Sequence, residues 1–207
     1  MIAVEKLYYA EVRVLVEGAK AVRVLGPILY RLHGYLRANP EARVGWTLPD
    51  FKEGTPNQEE SSLRHVHRAR VGSVLRLFAT SREALAEAAE RIRLVEDVSR
   101  SRIVLSPIQA APASTQGVAM ARIRYKLFKN RIPKSNRTAA EDLELARVIA
   151  QYRDDAHRSA FVDWDHGSTA YMLEFKEVLS ERCSETLEDL SSYGTSTITK
   201  PVFLPRF

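Results

Sequence analysis

The amino-acid sequence predicts an α+β fold from three observations: a strand-like alternation near its start, two stretches of helical spacing, and the order of these elements. The stretch LYYAEVRVLV (7–16) has one apolar face, as in a half-buried strand: Tyr8, Ala10, Val12, Val14 and Val16. Apolar residues then recur at helical spacing from Leu25 to Leu36. Gly26-Pro27 inside that stretch predicts a kink, or a helix that starts there.

The following elements complete a β-α-β-β-α-β order. RVGWTL (43–48) and VGSVLRLFA (71–79) are typical of strands, and a polar loop separates them. Thr80-Ser-Arg-Glu83 has the form of a capping box, which predicts a helix from about residue 81. RIVLSPIQ (102–109) is the last strand of the series. This order predicts a ferredoxin-like (RRM-like) N-terminal domain, residues 1–109, with two helices over one face of an antiparallel sheet.

The rest of the chain, residues 110–207, is predicted to form a second domain. AAPASTQG (110–117) is typical of a linker, and the segment after it is expected to be a helix with one apolar stripe of Met120, Ile123 and Leu127. A second face of that helix would carry Arg122, Lys126 and Lys129. Thr138-Ala-Ala-Glu141 predicts another helix, to about His157, and the C-terminal third predicts strands and turns. The second domain would therefore combine an arginine-rich helix with a small antiparallel sheet.

Basic residues are concentrated in one part of the chain. The formal net charge is +5, yet residues 98–140 contain nine basic side chains and no acidic one, so the remainder carries about −4. Such a surface can simply be solvated. Like charges without acidic partners repel one another, however, and a polyanion neutralises them, so nucleic-acid phosphates are the expected partner.

Several classes of protein are excluded or disfavoured by composition. The single cysteine, Cys183, rules out an internal disulfide framework. No apolar run reaches the roughly 18 residues that a membrane span needs. The start of the chain, MIAVEKLYY, lacks the layout of a signal peptide, so a cytoplasmic location is expected.

Individual candidates for chemistry are few. His33 is predicted at the rim of the apolar face of its helix, where it is either a structural histidine bonded to a carbonyl or a general acid or base. Tyr193 in SSYGTS is equally compatible with an ordinary turn, and GSTA (167–170) with an ordinary hairpin. His65 and His67 lack companion metal ligands, and no phosphate-binding or nucleophile motif occurs. No metal and no cofactor is expected.

Taken in order, these segments resemble the CRISPR-associated repeat-RNA endoribonuclease of subtype I-F. The resemblance spans nearly the whole chain, including the FVDWDHGSTAYMLEF segment, and is most specific in two places: YRLHGYL followed by RVGWTLPDF, and the terminal YGTSTITKPVFLPRF. It implies that a histidine, a serine and a tyrosine act without metal, and that a basic helix binds the stem-loop of the repeat.

The resemblance also implies roles for individual residues. The catalytic set would be His33, Ser168 and Tyr193, and the RNA-binding set would be Gln109, Arg122, Arg124, Lys126, Lys129, Arg131 and Tyr171. Tyr171 would stack beneath the last base pair of the stem, and Gln109 would address an adenine. Two departures stand out. The segment Asp165-His166-Gly167-Ser168 replaces the Ser-x-Ser-Thr-Gly motif of the family, so His166 occupies the slot of the serine, and Pro107 replaces its guanine-reading arginine.

The activity that the resemblance implies is metal-independent cleavage of precursor CRISPR RNA, leaving a 2′,3′-cyclic phosphate. The protein would stay bound to the 3′ hairpin of the mature RNA and join the subunits of a CRISPR effector complex. Two alternatives remain open. One is a catalytically weak subunit that binds the hairpin, and the other is a generic ferredoxin-like RNA-binding protein.

Overall fold

The computed structural model describes residues 6–16, 19–54, 69–93, 103–123, 138–140, 143, 146–147, 158–166 and 169–207. The first sheet is built from strands β1 (Tyr8–Val14), β2 (Gly45–Thr47), β3 (Val74–Ala79), β4 (Ile103–Leu105) and β5 (Gln109–Ala110). Helix α1 (Ala19–Ala38) follows β1, and helix α2 (Arg82–Arg93) follows β3. A short 3₁₀ helix, Pro40–Ala42, precedes β2.

The strands of this sheet lie in the order β2-β3-β1-β4, and every neighbouring pair is antiparallel. Val12 of β1 shows the register of the three central strands: it lies opposite Leu75 of β3 on one side and Leu105 of β4 on the other. Strand β5 also pairs with β1, opposite Tyr8 and Tyr9. The predicted β-α-β-β-α-β order is therefore confirmed in the described residues, and the α+β class with it.

The apolar stripe predicted for α1 is buried. Its residues are at most 3% exposed: Leu25, Ile28, Leu29, Leu32 and Leu36. The helix starts at Ala19 and passes through Gly26-Pro27, so of the two predicted alternatives, a helix that starts at that dipeptide is wrong. An interior proline costs a helix about 3 kcal/mol, whereas each fully buried leucine or isoleucine contributes roughly 1.5–3 kcal/mol. Burial on both sides of Pro27 thus outweighs the lost hydrogen bond.

Helix α2 begins where the capping residue predicts, with one correction. Ser81, not Thr80, caps it: the Ala84 amide donates to Ser81 Oγ at 3.1 Å, and Ser81 Oγ donates to Glu83 Oε2 at 2.9 Å. On its inner face the helix buries Leu85, Ala88 and Ile92. The two helices are further joined by Tyr35 of α1, whose hydroxyl donates to Glu87 Oε2 at 3.1 Å.

A second sheet contains β6 (Gly117–Arg122), β7 (Ser159–His166), β8 (Thr169–Ser180), β9 (Ser196–Thr197) and β10 (Leu204–Pro205). Its order is β10-β6-β8-β7, with antiparallel neighbours, and β9 pairs with β6 in parallel. Strands β7 and β8 pair along the whole length of β7, which agrees with the strands predicted for the C-terminal third.

The predicted helix through Met120 and Arg122 is wrong in its first part. Residues 117–122 are a strand, and Gly117 to Ala121 are buried. A short continuous apolar run fits a buried strand as well as a buried helix, and the i, i+3 spacing of Met120 and Ile123 did not distinguish them. Residues 124–137 lie outside the described residues, as does most of the helix expected from Thr138 to about His157.

The two sheets share one core. Trp46 of β2 meets Phe175 of β8 edge to face, with ring centroids 5.2 Å apart, and both side chains are fully buried. A smaller cluster of Phe78, Leu187, Val202 and Leu204 covers the face of the first sheet opposite the helices. The division into domains 1–109 and 110–207 stays a prediction. Within the described residues, no helix is long and apolar enough to cross a membrane.

Candidate active site

His33 lies in the last third of α1 and is half-buried. Its Nδ1 is 2.8 Å from the main-chain oxygen of Ser192. Because a carbonyl oxygen only accepts hydrogen bonds, Nδ1 carries a proton, and Nε2 is the nitrogen that can take up or release one. The contact is the one expected of a structural histidine, and it also fixes the tautomer that a general base needs.

Tyr193 lies flat against His33. The two ring centroids are 4.0 Å apart and the ring planes differ by 7°. We refer to these two side chains as the His33–Tyr193 pair. The sequence predicts both residues as members of one site, and the structure brings them into contact although they are far apart in the chain.

The turn that carries Tyr193 is held by its own hydrogen bonds. Ser191 Oγ donates to the Thr195 main-chain oxygen at 2.7 Å and accepts from the Tyr193 amide at 3.3 Å. Gly194 donates through its amide to the Ser191 oxygen at 2.9 Å and has φ +68°, a left-handed conformation that favours glycine. A Tyr-Gly pair therefore suits this position, because the residue after the tyrosine turns the chain sharply.

Trp46 anchors this turn to the first sheet. Its Nε1 donates to the Tyr193 main-chain oxygen at 2.7 Å, and its amide donates to the Gly194 oxygen at 3.2 Å. The Trp46 side chain is fully buried, so the anchor is inside the core. Sequence reasoning assigned Trp46 no role. The available signal was a tryptophan in a predicted strand, since the indole N–H needs an acceptor wherever such a strand is buried.

Arg122 contacts Tyr193 from a strand, whereas the sequence predicts Arg122 on a helix. It ends β6, where its neighbours are Phe175 of β8 and Thr197 of β9. Its guanidinium carbon is 3.9 Å from the centroid of the Tyr193 ring. The expected pairing of Arg122 with Lys126 on one helix face is thus wrong for Arg122. Arg124, Lys126, Lys129 and Arg131 lie outside the described residues.

The hairpin segment is described only in part. His166 and Thr169 are the outermost paired residues of β7 and β8, and Gly167 and Ser168 stand between them in the sequence. Ser168 itself lies outside the described residues. Tyr171 lies in β8 opposite Trp164. The roles of Ser168 and Tyr171, like that of His166 as an alternative, stay predictions.

Gln109 belongs to another part of the surface. It is exposed in β5 opposite Tyr9, and the Tyr9 hydroxyl donates to Gln109 Oε1 at 3.3 Å. Tyr9 packs against Phe207 with ring centroids 4.9 Å apart, on the sheet face opposite the helices. Since paired residues of adjacent strands share a face, Gln109 projects from that same face. The predicted site residues whose side chains are described therefore fall in two places: His33, Tyr193 and Arg122 lie together, and Gln109 lies beside Tyr9.

Other chemistry finds little support in the described residues. Burial raises the pKa of the Cys183 thiol, and its Sγ is 3.4 Å from the Gln116 main-chain oxygen, so the thiolate is disfavoured. Burial, followed by the hydrogen bond to Glu87, raises the pKa of Tyr35 to about 12, which keeps that hydroxyl protonated as a structural donor. No group of three or more His, Cys, Asp or Glu side chains comes together there to hold a metal ion.

Comparisons with known proteins add a family assignment. A family model described as "CRISPR-associated protein (Cas_Csy4)" matches residues 9–207. No curated protein matches the chain.

Three solved structures show distant likeness. CRISPR endoribonuclease Cse3 bound to a 19-nucleotide RNA is 10% identical, with a TM-score of 0.33, over 97% of this chain and 100% of that one. A Cas6 product complex is 12% identical, with a TM-score of 0.27, over 95% and 96% of the two chains. A protein named as a chlorite dismutase is 14% identical, with a TM-score of 0.25, over 83% and 79%. None of these likenesses is close enough to indicate a shared activity.

Proposed function

Because the chain belongs to the Cas_Csy4 family of CRISPR-associated proteins, we propose that it binds the stem-loop of a CRISPR repeat RNA and cleaves the precursor transcript beside it. The observation that carries the proposal is the His33–Tyr193 pair, in which the proton on Nδ1 is assigned by the Ser192 oxygen. A base whose tautomer and ring orientation are both fixed is what proton transfer at a chosen bond requires.

The proposed reaction is an internal transesterification. The ribose 2′ oxygen attacks the adjacent phosphorus, the new O–P bond forms, and the bond from phosphorus to the 5′ oxygen breaks. A base takes the 2′ proton, and an acid supplies a proton to the leaving 5′ oxygen. The products are a 2′,3′-cyclic phosphate and a 5′-hydroxyl, and neither a metal nor a water molecule enters the balance.

His33 would exchange the proton through Nε2. General acid–base catalysis of this kind contributes roughly 10²- to 10⁴-fold to a rate. Tyr193 would restrain the imidazole by stacking, and Ser168 would orient the nucleophile through its hydroxyl, with His166 the alternative for that slot. Alignment of the 2′ oxygen with the phosphorus would lower the activation barrier of the reaction further.

RNA binding would use residues away from the reacting phosphate. The cations of 98–140 would neutralise phosphates of the stem, except Arg122, whose guanidinium lies over the Tyr193 ring. Gln109 would read a base edge, and Tyr171 would stack beneath the stem. Tight retention of the cleaved hairpin would make the protein a subunit of a CRISPR effector complex. One observation favours a second candidate, a hairpin-binding subunit with weak cleavage: the serine slot of the family holds His166 in this chain.

The deciding experiment incubates the protein with the repeat transcript in EDTA. Cleavage at one position, with a 2′,3′-cyclic phosphate on the upstream fragment, is the expected result. A hairpin bound tightly but left intact would favour the second candidate. Equal binding to unrelated stem-loops would reduce the function to general RNA binding.

A further inference from the structure

The backbone at Arg122 is held from both sides. Arg122 lies opposite Phe175 of β8, which is fully buried, and opposite Thr197 of β9. Strand β9 begins three residues after Tyr193, at Ser196, so the segment that pairs with Arg122 is the continuation of the Tyr193 turn. The sheet therefore fixes the distance between the Arg122 backbone and the turn. The contact between the two side chains follows from strand pairing and not from a chance encounter at the surface.

The guanidinium and the imidazole lie on opposite faces of the Tyr193 ring. The Arg122 guanidinium carbon is 3.9 Å from the ring centroid, and the His33 ring centroid is 4.0 Å from it in a nearly parallel plane. One face of a phenol ring has no room for two planar groups at that distance. The order Arg122, Tyr193, His33 is thus a three-layer stack with the tyrosine in the middle.

The arginine in this stack is partly removed from water. Its Nη1 is buried and has no hydrogen-bond partner among the described residues, although a buried guanidinium N–H normally finds an acceptor. Cation–π attraction is strongest for such desolvated cations, and the distance here is well within its range of about 6 Å. The Tyr193 ring is consequently a principal partner of this cation, and the cation holds the ring from the face that His33 does not cover.

We propose that Arg122 is a positioning residue that acts through Tyr193: its guanidinium presses the phenol ring flat against His33 and so fixes the imidazole plane. The catalytic consequence rests on the proposed function, because it requires His33 to exchange a proton with RNA. The structural part, which is the position of the Tyr193 ring against His33, is independent of the proposed function. Arg122 thus has a different role from Lys126 and the other cations of residues 98–140, which the proposed function assigns to phosphate binding.

The structural part is tested in the free protein, without RNA. Protons above the face of an aromatic ring are shifted upfield in NMR spectra, so the His33 ring protons report the stack. His33→Gln assigns their signals, and Tyr193→Leu supplies the unstacked reference. Arg122→Met, which keeps a long apolar side chain and removes the charge, is expected to move the His33 signals towards the Tyr193→Leu position. Unchanged His33 signals in a folded Arg122→Met protein overturn the inference.

The catalytic part is tested by single-turnover cleavage at saturating repeat RNA, alongside binding of a hairpin with a 2′-deoxy group at the cleavage site. Arg122→Met is expected to slow cleavage roughly tenfold, as loss of a desolvated cation–π contact predicts. Arg122→Lys should restore part of the rate. The matched control is Arg23→Met, which removes the same charge from an exposed position of α1. Binding by Arg122→Met should weaken no more than binding by this control.

The outcomes separate the inference from the proposed function. A loss of binding in Arg122→Met well beyond the control, with the cleavage rate at saturation unchanged, makes Arg122 a phosphate ligand and overturns the positioning role. Wild-type protein that does not cleave removes the proposed function, while the NMR signals still decide the stack. If Arg122→Met does not fold, Arg122→Ile takes its place in both experiments, because a β-branched residue suits a strand.

Discussion

The indole Nε1 of Trp46 donates a 2.7 Å hydrogen bond to the main-chain oxygen of Tyr193, so a buried side chain of the first sheet holds the turn of the candidate active site. The same tryptophan packs edge to face on Phe175 of the second sheet. The candidate site is thus attached to the core that the two sheets share. A substitution of Trp46 should therefore change the position of the Tyr193 turn, and with it the stacking of Tyr193 on His33.

Trp46→Phe tests this connection. The variant keeps an aromatic ring beside Phe175 and removes the donor to Tyr193. We expect the free energy of unfolding to fall by about 1–3 kcal/mol, since a buried hydrogen bond and some packing are lost. Cleavage should slow while hairpin binding changes little. Urea unfolding, binding and single-turnover cleavage provide the three measurements, and an unchanged cleavage rate in a destabilised variant would show that the turn does not depend on this anchor.

Gly194 provides a test with an internal control. At φ +68° a side chain is strained, and a Cβ would lie 2.6 Å from Trp46 Cδ1 and 2.8 Å from the Val44 main-chain oxygen. Gly194→Ala should therefore destabilise the protein by roughly 1–3 kcal/mol or more and impair cleavage. Gly34, next to His33 in α1, has nothing within 4 Å of a Cβ. Gly34→Ala should stabilise the helix by about 0.5–1 kcal/mol. Thermal unfolding of the two variants side by side checks the contrast, which equal effects would contradict.

The parts of the fold with a visible period were predictable. Alternation in 7–16 and leucine spacing in α1 each report one buried face, and both elements form, although α1 begins before Gly26-Pro27. Strand β6 has no such period, because Gly117 to Ala121 are all buried, and its helix prediction was wrong for that reason. Long-range pairing was beyond the sequence as well: the contact of Arg122 with Tyr193 depends on β9, a strand of two residues.

Of the candidate site, the sequence predicts His33 and Tyr193 but not the groups that support them. The resemblance names both residues, and the structure stacks their rings, while their catalytic roles stay predictions. Trp46 and Ser192 were not identified, because a main-chain oxygen leaves no trace in a sequence and a buried tryptophan looks like any core residue. Supporting contacts of this kind are fixed by the path of the backbone, so they become visible only in three dimensions.

Gln109 is expected to discriminate between hairpins. A side-chain amide can pair with two atoms of an adenine edge, and good bidentate pairing is worth about 1–3 kcal/mol of discrimination. Gln109→Ala should therefore weaken the repeat hairpin more than hairpins with a changed base pair. Tyr9→Phe should show a smaller loss of the same kind, because the Tyr9 hydroxyl donates to Gln109 Oε1 and orients the amide. Competition binding with single-base variants of the hairpin measures both. Equal losses on all hairpins would make Gln109 structural.

Salt dependence should identify the phosphate-binding cations. Hairpin affinity is expected to fall steeply with salt, because residues 98–140 contain nine basic side chains and no acidic one. Lys126→Ala with Lys129→Ala should reduce the slope of log affinity against log salt by about two. The control double variant, Arg23→Ala with Arg37→Ala, removes two exposed charges from α1 and should leave the slope nearly unchanged. Equal slopes for the two double variants would show that Lys126 and Lys129 do not contact RNA phosphates.

His33 provides the decisive test of the chemistry. His33→Ala should lose cleavage by a hundredfold or more, as removal of a general acid or base predicts, while hairpin binding stays nearly intact. The reason is geometric: the Ser192 oxygen holds the proton on Nδ1, so Nε2 is the nitrogen that can exchange one with the substrate. A purely structural histidine predicts a different pattern, with stability, binding and cleavage reduced together.

The measurement is single-turnover cleavage in EDTA beside an equilibrium binding curve, for wild type, His33→Ala, Ser168→Ala and His166→Ala. The protein should be active in EDTA, because the proposed proton transfers need no divalent ion. We expect Ser168→Ala to lose more activity than His166→Ala, since the role to be filled is that of a hydroxyl. The reverse order would show that His166 has taken over the serine slot. A His33→Ala protein that cuts at the wild-type rate would contradict the mechanism, whatever the activity of Ser168→Ala and His166→Ala.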